Sequence, residues 1–335
     1  MEIIQRPYQN EFLRWSRDKE KVLVLTADLT NSCEVGVWAQ EYPRRYFAMG
    51  LTEQNMLGVA AGLARKGFYP YIHTFAVFIY RRPLDQLAMS VAYPNLPVRL
   101  MGFLPGITTP GGVTHQAIDD LAVMRSIPNM TVISVGDATE AETCLDAVQA
   151  VNGPVYVRML RGEVPRIFPK EEKFVFNHAR ILRCGTDITI ISEGICTEEA
   201  IRATAALAAK GLSITHLHVS TIKPFTDPRI LEALEKNRFG VITLENHLAS
   251  GGLGGAVSEL ITDKGLGKKL IRLGLQDTYA HGASKGYLMK KYGLDATALI
   301  AAAEKLSGNK FGIRAGDLAE IRIETVHSAA KAEAL

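Results

Sequence analysis

An acidic residue and a histidine mark two segments of this sequence whose side chains could do chemistry. Glu53 precedes a helix-like run rich in glycine and alanine, residues 54–67. An acid in the first turn of a helix is favoured by the positive end of the helix dipole, so a structural role competes with a catalytic one. His115 follows the irregular stretch FLPGITTPGGVTHQ, which is rich in glycine and proline. A lone histidine is more often structural, but histidine titrates near neutral pH, and its place after so much irregular backbone makes it a better candidate for proton transfer at a site.

A pair of phenylalanines lies in a third such segment, HTFAVFIYRRPLDQ. Phe75 and Phe78 are three residues apart, so they share one face if the segment is helical. Pairs of this kind usually belong to a hydrophobic core. The adjacent Arg81 and Arg82 indicate an edge instead, where the two rings could line a cleft. His73, at the start of the segment, is equally compatible with a structural and a functional role.

Two further strand-like runs end in polar side chains. Asp28 and Ser32 lie in TADLTNS, where they either satisfy the main chain of a turn or face a ligand. Arg158 and Arg161 lie in YVRMLRG, and either guanidinium suits a phosphate because its fork matches the phosphate oxygens. Ligands of α/β proteins bind in the crevice at the carboxyl ends of the strands, so that edge of the sheet is the expected position of the site.

The elements that must position these residues are short apolar strands alternating with helices. The strands are apolar nearly throughout, which is typical of parallel sheets buried on both faces. Their sequences are KVLVLTADL, PVRLMGF, MTVISV, PVYVRML, DITIISEG, SITHLHV, GVITLEN and LIRLGL. Helical patterns such as NMLGVAAGLARKG and CTEEAIRATAALAAKG lie between several of them. This alternation predicts an α/β fold.

The alternation is interrupted once, which predicts two domains. The interruption, residues 163–180, contains prolines and a charge cluster without helical periodicity. We therefore expect two three-layer α/β domains with mainly parallel sheets, over residues 1–165 and 181–308, joined by this linker. The tail, 309–335, is polar and alanine-rich and predicts a terminal helix or partial disorder.

Composition limits the classes of function. Of the 335 residues 47% are hydrophobic and 22% charged, and the net charge is +3, with both signs mixed along the chain. These values give no reason to expect binding to nucleic acid or to a membrane surface. The amino-terminal residues do not resemble a secretory signal, and no apolar run approaches the length of a membrane span. Four cysteines without metal-type spacing predict reduced thiols and a cytoplasmic protein.

Taken in order, these segments resemble the second half of transketolase and its relatives. The matching segments are TADLTNS, YFAMGLTEQNMLGVAAGLA, TFAVF, GGVTHQAIDDLAVMRSIPNM, VRMLRG and the region of GGLGG. Each motif alone is weak, whereas the ordered set is strong and covers about residues 5 to 305. The resemblance implies a pyrimidine-binding domain followed by the transketolase C-terminal domain.

The resemblance also implies a partner chain. The diphosphate-binding half of such enzymes carries a Gly-Asp-Gly motif and a following Asn that hold Mg²⁺, and neither pattern is found in this sequence. The chain thus resembles the B subunit of a split transketolase, and the implied partner is an A subunit with the diphosphate-binding domain. The implied cofactors are thiamine diphosphate and Mg²⁺, with the metal held mainly by the partner and no metal ligand in this chain. The implied active form is a heterotetramer that includes self-association through the B subunit.

The resemblance assigns cofactor contacts to four residues. Glu53 matches the acid that hydrogen-bonds N1′ of the aminopyrimidine and is therefore a catalytic residue. Phe75 and Phe78 match the aromatic residues that stack on or flank the pyrimidine ring. Asp28 matches an acid near the cofactor.

Substrate contacts follow from the same resemblance. Ser32 and Arg161 match positions that touch the substrate phosphate. His115 matches the histidine of a Gly-x-Thr-His-Gln motif, which bonds oxygens of the substrate and takes part in catalysis. The implied reaction is the transfer of a two-carbon ketol unit between sugar phosphates.

Three departures from the family pattern bear on the substrate. Transketolases that act on ordinary sugar phosphates carry a His where this chain has Phe103, and an Asp where it has Gly111; Val113 replaces the proline of the motif. Loss of a hydrogen-bonding partner changes selectivity by orders of magnitude. An atypical sugar phosphate is therefore expected as a substrate.

Three alternatives remain open from the sequence. Deoxyxylulose-phosphate synthase shares much of this half but tends to have Arg in place of Phe78. The β subunit of a 2-oxoacid dehydrogenase has a matching Glu but lacks the Thr-His-Gln-x-x-x-Asp pattern. The non-enzymatic alternative is that the chain is a degenerate, regulatory relative of these enzymes. The retained Glu53, Phe75 and His115 argue against it.

Overall fold

A computed structural model describes residues 2–320 of the chain. The predicted tail therefore lies partly outside the described residues. Its described part contains a short helix, Ala315–Glu320, and residues 321–335 are not described.

The first domain contains the elements up to residue 165. Its strands are β1 (Ile3–Gln5), β2 (Val22–Thr26), β3 (Tyr46–Ala48), β4 (Tyr69–Phe75), β5 (Arg99–Phe103), β6 (Thr131–Ser134), β7 (Val155–Met159) and β8 (Glu163–Pro165). Its helices are α1 (Pro7–Trp15), α2 (Gly36–Glu41), α3 (Glu53–Arg65), α4 (Ala76–Arg81), α5 (Asp120–Ser126), α6 (Ala138–Thr143) and α7 (Leu145–Ala150), with a 3₁₀ turn at Pro43–Arg45 and a π-helix at Gln86–Ala92.

The second domain contains the elements from residue 180 onward. Its strands are β9 (Arg180–Arg183), β10 (Ile188–Ser192), β11 (Ile214–His218), β12 (Thr221–Lys223), β13 (Gly240–Leu248) and β14 (Leu270–Leu275). Its helices are α8 (Cys196–Ala209), α9 (Pro228–Lys236), α10 (Leu253–Asp263), α11 (Lys285–Lys291), α12 (Ala296–Ser307) and α13 (Ala315–Glu320).

Both main sheets are mostly parallel. Within residues 2–320, the first has seven strands in the order β12-β6-β7-β5-β4-β2-β3, and the second has five in the order β14-β13-β10-β11-β9. Within the described residues, the only antiparallel pairings in these two sheets are those of β12 with β6 and of β9 with β11. All eight strands predicted from apolar runs are present, and strands such as β2, β5 and β10 are buried at every position. Burial on both faces explains why these runs do not alternate with polar residues. The expected α/β architecture is confirmed.

The second domain contributes a strand to the first sheet. β12 follows β11 in sequence but pairs antiparallel with β6, with Thr221 opposite Ile133. The second domain therefore supplies an edge strand of the first sheet, and the sequence pattern does not reveal this pairing.

Buried polar groups join the two domains at the carboxyl ends of their strands. Arg158, at 1% exposure, donates from Nε to Asp120 at 2.7 Å and from Nη1 to the main-chain oxygen of Asn246 at 3.0 Å. The hydroxyl of Ser134, in the first domain, donates to Glu193 in the second. Glu193 directly follows β10, and Asn246 lies in β13. These two strands are adjacent and parallel. The crevice of the second sheet is thus filled by the first domain.

Candidate active site

The residues predicted for the site converge on the carboxyl edge of the first sheet. Neighbouring parallel strands β3, β2, β4, β5 and β7 place their carboxyl ends along this edge. Glu53 follows β3, Ser32 follows β2, Phe75 ends β4 and Arg161 follows β7. The order of the strands, rather than of the sequence, brings these side chains together.

Glu53 is a buried carboxylate with one charged partner. It is the first residue of α3 and its side chain is 3% exposed. Its Oε1 accepts a 2.5 Å hydrogen bond from Nη1 of Arg82. Because a buried carboxylate without a partner is costly, the contact with Arg82 offsets part of the cost of burying this side chain.

Phe75 and Phe78 form an aromatic wall beside this ion pair. Phe75 ends β4 and Phe78 lies in the first turn of α4, and their rings stack with centroids 5.9 Å apart and an interplanar angle of 27°. The guanidinium carbon of Arg82 lies 4.0 Å from the centroid of Phe78. Arg82 therefore contacts both the acid and the wall.

His115 faces the same wall from the glycine-rich loop. Its ring meets Phe78 edge-on at 5.4 Å and Phe75 at 6.2 Å. Nδ1 is 2.8 Å from the hydroxyl of Thr114. Partial burial and the positive charge of Arg82 lower the pKa of His115, so its imidazole is neutral at neutral pH and can accept a proton.

The loop that carries His115 is held by the second domain. The side chain of Asn246 donates to the main-chain oxygen of Pro105 and accepts from the amide of Ile107, both at 3.0 Å. Gly106, between them, has φ +59° and a Cβ added there would lie 2.2 Å from this side chain. Only glycine fits this close approach, so the second domain fixes the start of the His115 loop.

Arg161 lies near the Phe75 ring of the aromatic wall, whereas Arg82 lies on the Phe78 ring. Its guanidinium carbon is 5.8 Å from the ring centroid of Phe75, and Nη1 donates 2.7 Å to the main-chain oxygen of Ser32. The predicted pair of Ser32 and Arg161 is thus adjacent in the structure. Its hydroxyl and guanidinium can present donors to an anionic group.

Asp28 lies after β2 at the carboxyl edge of the sheet, and Gly111 lies beside His115. Asp28 follows β2 with φ +60° and an exposed side chain, a conformation that Asp tolerates better than most residues. Gly111 is exposed, and a Cβ added there would lie 3.1 Å from Cβ of His115. A larger residue at position 111 would press on the histidine.

Three sequence candidates lie in the core instead. Phe103 is fully buried, and its ring packs on Tyr8 and His73, so it presents no surface to a substrate and the predicted contact lacks support. Phosphate binding by Arg158 is wrong, because its guanidinium is buried against Asp120 and the second domain. His73 is also structural: it is 2.6 Å from the hydroxyl of Tyr8, and burial lowers its pKa to about 3.

Arg82 is the residue of this group that the sequence interpretation missed. The pattern placed Arg81 and Arg82 at an edge without a role. The available signal was the spacing of Phe78 and Arg82, since residues four apart in a helix share a face. Arg81 differs, because its Nη2 donates 2.6 Å to Asp119.

Comparison with known proteins identifies the class. Residues 6–166 match the transketolase pyrimidine-binding domain and residues 177–299 match the transketolase C-terminal domain. The chain therefore belongs to the transketolase family, as its pyrimidine-binding and C-terminal portion.

Three relatives are similar to this chain over most of their own length. A Methanocaldococcus jannaschii protein named as a transketolase C-terminal section is 37% identical over 88% of this chain and 93% of its own length. The 6-deoxy-6-sulfo-D-fructose transketolase subunit SqwH of Clostridium sp. (strain MSTE9) is 36% identical over 90% of this chain and 94% of its own length. A solved structure titled as a split gene transketolase, inactive β4 tetramer, has a TM-score of 0.80 and 34% identity, covering 90% of this chain and 96% of that one.

Residues 2–320 contain neither a metal-binding cluster nor a membrane-spanning helix. Within residues 2–320, no three His, Cys, Asp or Glu side chains are grouped so that they could hold a metal ion. In the same residues, no helix has the length and apolar character of a membrane crossing.

Proposed function

We propose that this chain is the B subunit of a thiamine-diphosphate-dependent transketolase, which transfers a two-carbon ketol unit between sugar phosphates together with a separate A subunit. The observation that carries the proposal is the buried carboxylate of Glu53 beside the stacked pair of Phe75 and Phe78. A planar group bearing N–H donors fits there, as the guanidinium of Arg82 demonstrates. The aminopyrimidine of the cofactor is also planar and nitrogen-rich.

Each side chain then has a task toward cofactor and substrate. When bound, thiamine diphosphate supplies the nucleophilic carbon and stores the electrons of the cleaved bond. Glu53 shares a proton with N1′ of the aminopyrimidine, and Phe75 and Phe78 orient the ring. The neutral imidazole of His115 bonds substrate oxygens and accepts or returns a proton. The remaining cofactor contact is Asp28.

The substrate proposal rests on the Ser32–Arg161 pair and on Gly111. Arg161 and Ser32 bind the anionic end of the sugar phosphate. Gly111 supplies no acceptor beside His115, so the 2-hydroxyl of an ordinary aldose phosphate has no carboxylate partner there. An atypical, such as branched, sugar phosphate is therefore the proposed substrate. A reconstituted enzyme that preferred xylulose 5-phosphate with ribose 5-phosphate over every other pair would contradict this.

An exposed apolar surface supports association with the A subunit. Leu51, Met89 and Tyr93 are 69%, 57% and 77% exposed, on the segments around α3 and the π-helix. On α3 itself, Gly58 and Gly62 are exposed, and a Cβ added to either would meet no atom within 4 Å. Such a surface lets another backbone approach closely. We propose that it receives the A subunit, which holds Mg²⁺ and the diphosphate.

Self-association through the B subunit is the remaining part of the proposed assembly. The β4 tetramer of the split-gene relative supports it. Light scattering on this chain alone and on the A/B pair tests this self-association. A particle mass that allows only one B subunit per particle in both samples contradicts it.

The decisive experiment is reconstitution with the A subunit. Calorimetric titration with thiamine diphosphate and Mg²⁺ is expected to show binding by the pair and none by this chain alone. Ketol transfer should require both chains and should fall by at least a hundredfold in Glu53→Gln. Near wild-type transfer by that variant, or full activity of this chain alone, contradicts the proposal.

The stacked Phe78 also disfavours a deoxyxylulose-phosphate synthase.

A further inference from the structure

The guanidinium of Arg82 lies where the two main cofactor contacts meet. Its Nη1 is 2.5 Å from Oε1 of Glu53, and its central carbon is 4.0 Å from the ring centroid of Phe78. The proposed function assigns these same two side chains to the aminopyrimidine. One accepts a hydrogen bond from the ring and the other stacks on it.

A guanidinium and an aminopyrimidine compete for such a place because both are planar, both stack on aromatic rings, and each can place an N–H opposite the carboxylate, the ring when N1′ holds the shared proton. A guanidinium is planar, delocalised and rich in N–H donors, and it stacks on aromatic faces. The side of Phe78 that the guanidinium covers cannot also stack on the aminopyrimidine, and Oε1 of Glu53 cannot bond both groups in the same place. We propose that Arg82 occupies the aminopyrimidine position in the cofactor-free chain, and that cofactor binding requires its guanidinium to leave Glu53 and Phe78. This inference rests on the proposed function.

The two members of the ion pair differ in their freedom to move. Glu53 is 3% exposed and starts a helix of 13 residues, whereas Arg82 is 46% exposed and lies just beyond the end of α4. A half-exposed arginine can turn into water and keep its charge hydrated. Glu53 cannot, and without a partner its buried charge would be costly. Arg82 therefore compensates the buried charge of Glu53 in the cofactor-free chain, and it competes with the cofactor for this carboxylate when the cofactor binds.

Arg81 offers a matched control. It is the preceding residue, carries the same charge and is 32% exposed. Its guanidinium donates to Asp119 and lies 5.5 Å from the ring of Tyr80, so its contacts differ from those of Arg82 with Glu53 and Phe78. Its removal changes the local charge by the same amount without emptying the proposed position.

The test measures cofactor affinity in the A/B complex rather than turnover. Calorimetric titration with thiamine diphosphate, at fixed Mg²⁺, compares the wild-type pair with pairs containing Arg82→Ala, Arg82→Gln or Arg81→Ala. Both Arg82 variants should bind about tenfold more tightly, as expected if Arg82 fills the position about nine-tenths of the time. Arg81→Ala should keep the wild-type Kd. An unchanged or weaker Kd in the Arg82 variants, or equal tightening in Arg81→Ala, overturns the proposal.

A second readout separates this proposal from the proposed function. The melting temperature of the cofactor-free chain should fall in Arg82→Gln, because Glu53 loses its partner, and the deficit should disappear in the complex at saturating thiamine diphosphate. A deficit that persists at saturation overturns the proposal. If the wild-type pair binds no thiamine diphosphate, the proposed function fails as well. If it binds and the Arg82 variants do not gain affinity, only the role of Arg82 fails.

Discussion

Nη1 of Arg158 donates a 3.0 Å hydrogen bond to the main-chain oxygen of Asn246, across the boundary between the two domains. The same guanidinium is paired with Asp120, and both side chains are almost fully buried. We expect Arg158→Ala to destabilise the chain by about 3–5 kcal/mol, because it leaves a buried carboxylate without its partner. Urea unfolding followed by tryptophan fluorescence measures this.

Arg44→Ala is the control for that variant. Arg44 is exposed, and its loss should change the free energy of unfolding by less than about 0.5 kcal/mol. Equal stability of the two variants would mean that the buried Arg158–Asp120 pair does not stabilise the chain.

Asn246→Ala should loosen the loop that carries His115. The variant loses two hydrogen bonds, to Pro105 and Ile107, and leaves the buried amide of Ile107 unpaired, whereas the Pro105 oxygen still accepts from the hydroxyl of Thr108. The unpaired amide costs about 1–3 kcal/mol. Hydrogen exchange in peptides covering residues 104–118 should accelerate, while peptides of β2 stay protected. Unchanged exchange in the loop would show that the second domain does not hold it.

Arg82→Ala should raise the pKa of His115. Burial is the larger cause of its lowered pKa and persists in the variant, so recovery toward the ordinary value should be partial. The positive charge of Arg82 disfavours the imidazolium, so removing it favours protonation. Histidine NMR titration of this chain measures the shift, with Arg81→Ala as the comparison. A lower pKa in Arg82→Ala would contradict the geometry.

Glu140 should contribute to stability only above acidic pH. Burial by itself would raise the pKa of Glu140, but His218 and Ser220 help to lower it to about 2. They lie 3.2 and 2.6 Å from its carboxylate oxygens. A carboxyl whose folded pKa lies below its unfolded value, about 4.3, stabilises the protein above the unfolded pKa. That contribution, on the order of 3 kcal/mol, is lost as pH falls toward 2.

Glu140→Gln tests this dependence. The variant should be less stable at pH 7, and its free energy of unfolding should vary less between about pH 5 and pH 2 than that of the wild type. Unfolding measured by urea across this range gives the comparison. Parallel pH profiles of the two proteins would show that Glu140 is not the group responsible.

The sequence predicts the fold well where burial dictates residue type. Strands such as β2 and β10 are buried on both faces, and continuous apolar runs reveal them. β4 was missed because YPYIHTF mixes a proline, a histidine and a threonine into a buried strand. β12 could not be found, because three residues that pair with a distant strand carry no local pattern.

The candidate site divides in the same way. Glu53, Phe75, Phe78 and His115 lie together, and their motifs are compact segments at strand ends. Phe103 and Arg158 could not be separated from the site by pattern, because a strand places alternate side chains on opposite faces and only packing decides which are covered. Arg82 was missed because its role depends on Glu53, 29 residues earlier in the chain.

The pairing of β12 with β6 has a consequence for any shortened form of this protein. A fragment ending in the linker would lack Thr221–Lys223 and would leave β6 as an unprotected outer strand. Unpaired strands of this kind add to other chains and promote aggregation. Proteolysis or premature termination between the domains would thus yield an aggregation-prone fragment rather than an independently folded pyrimidine-binding domain.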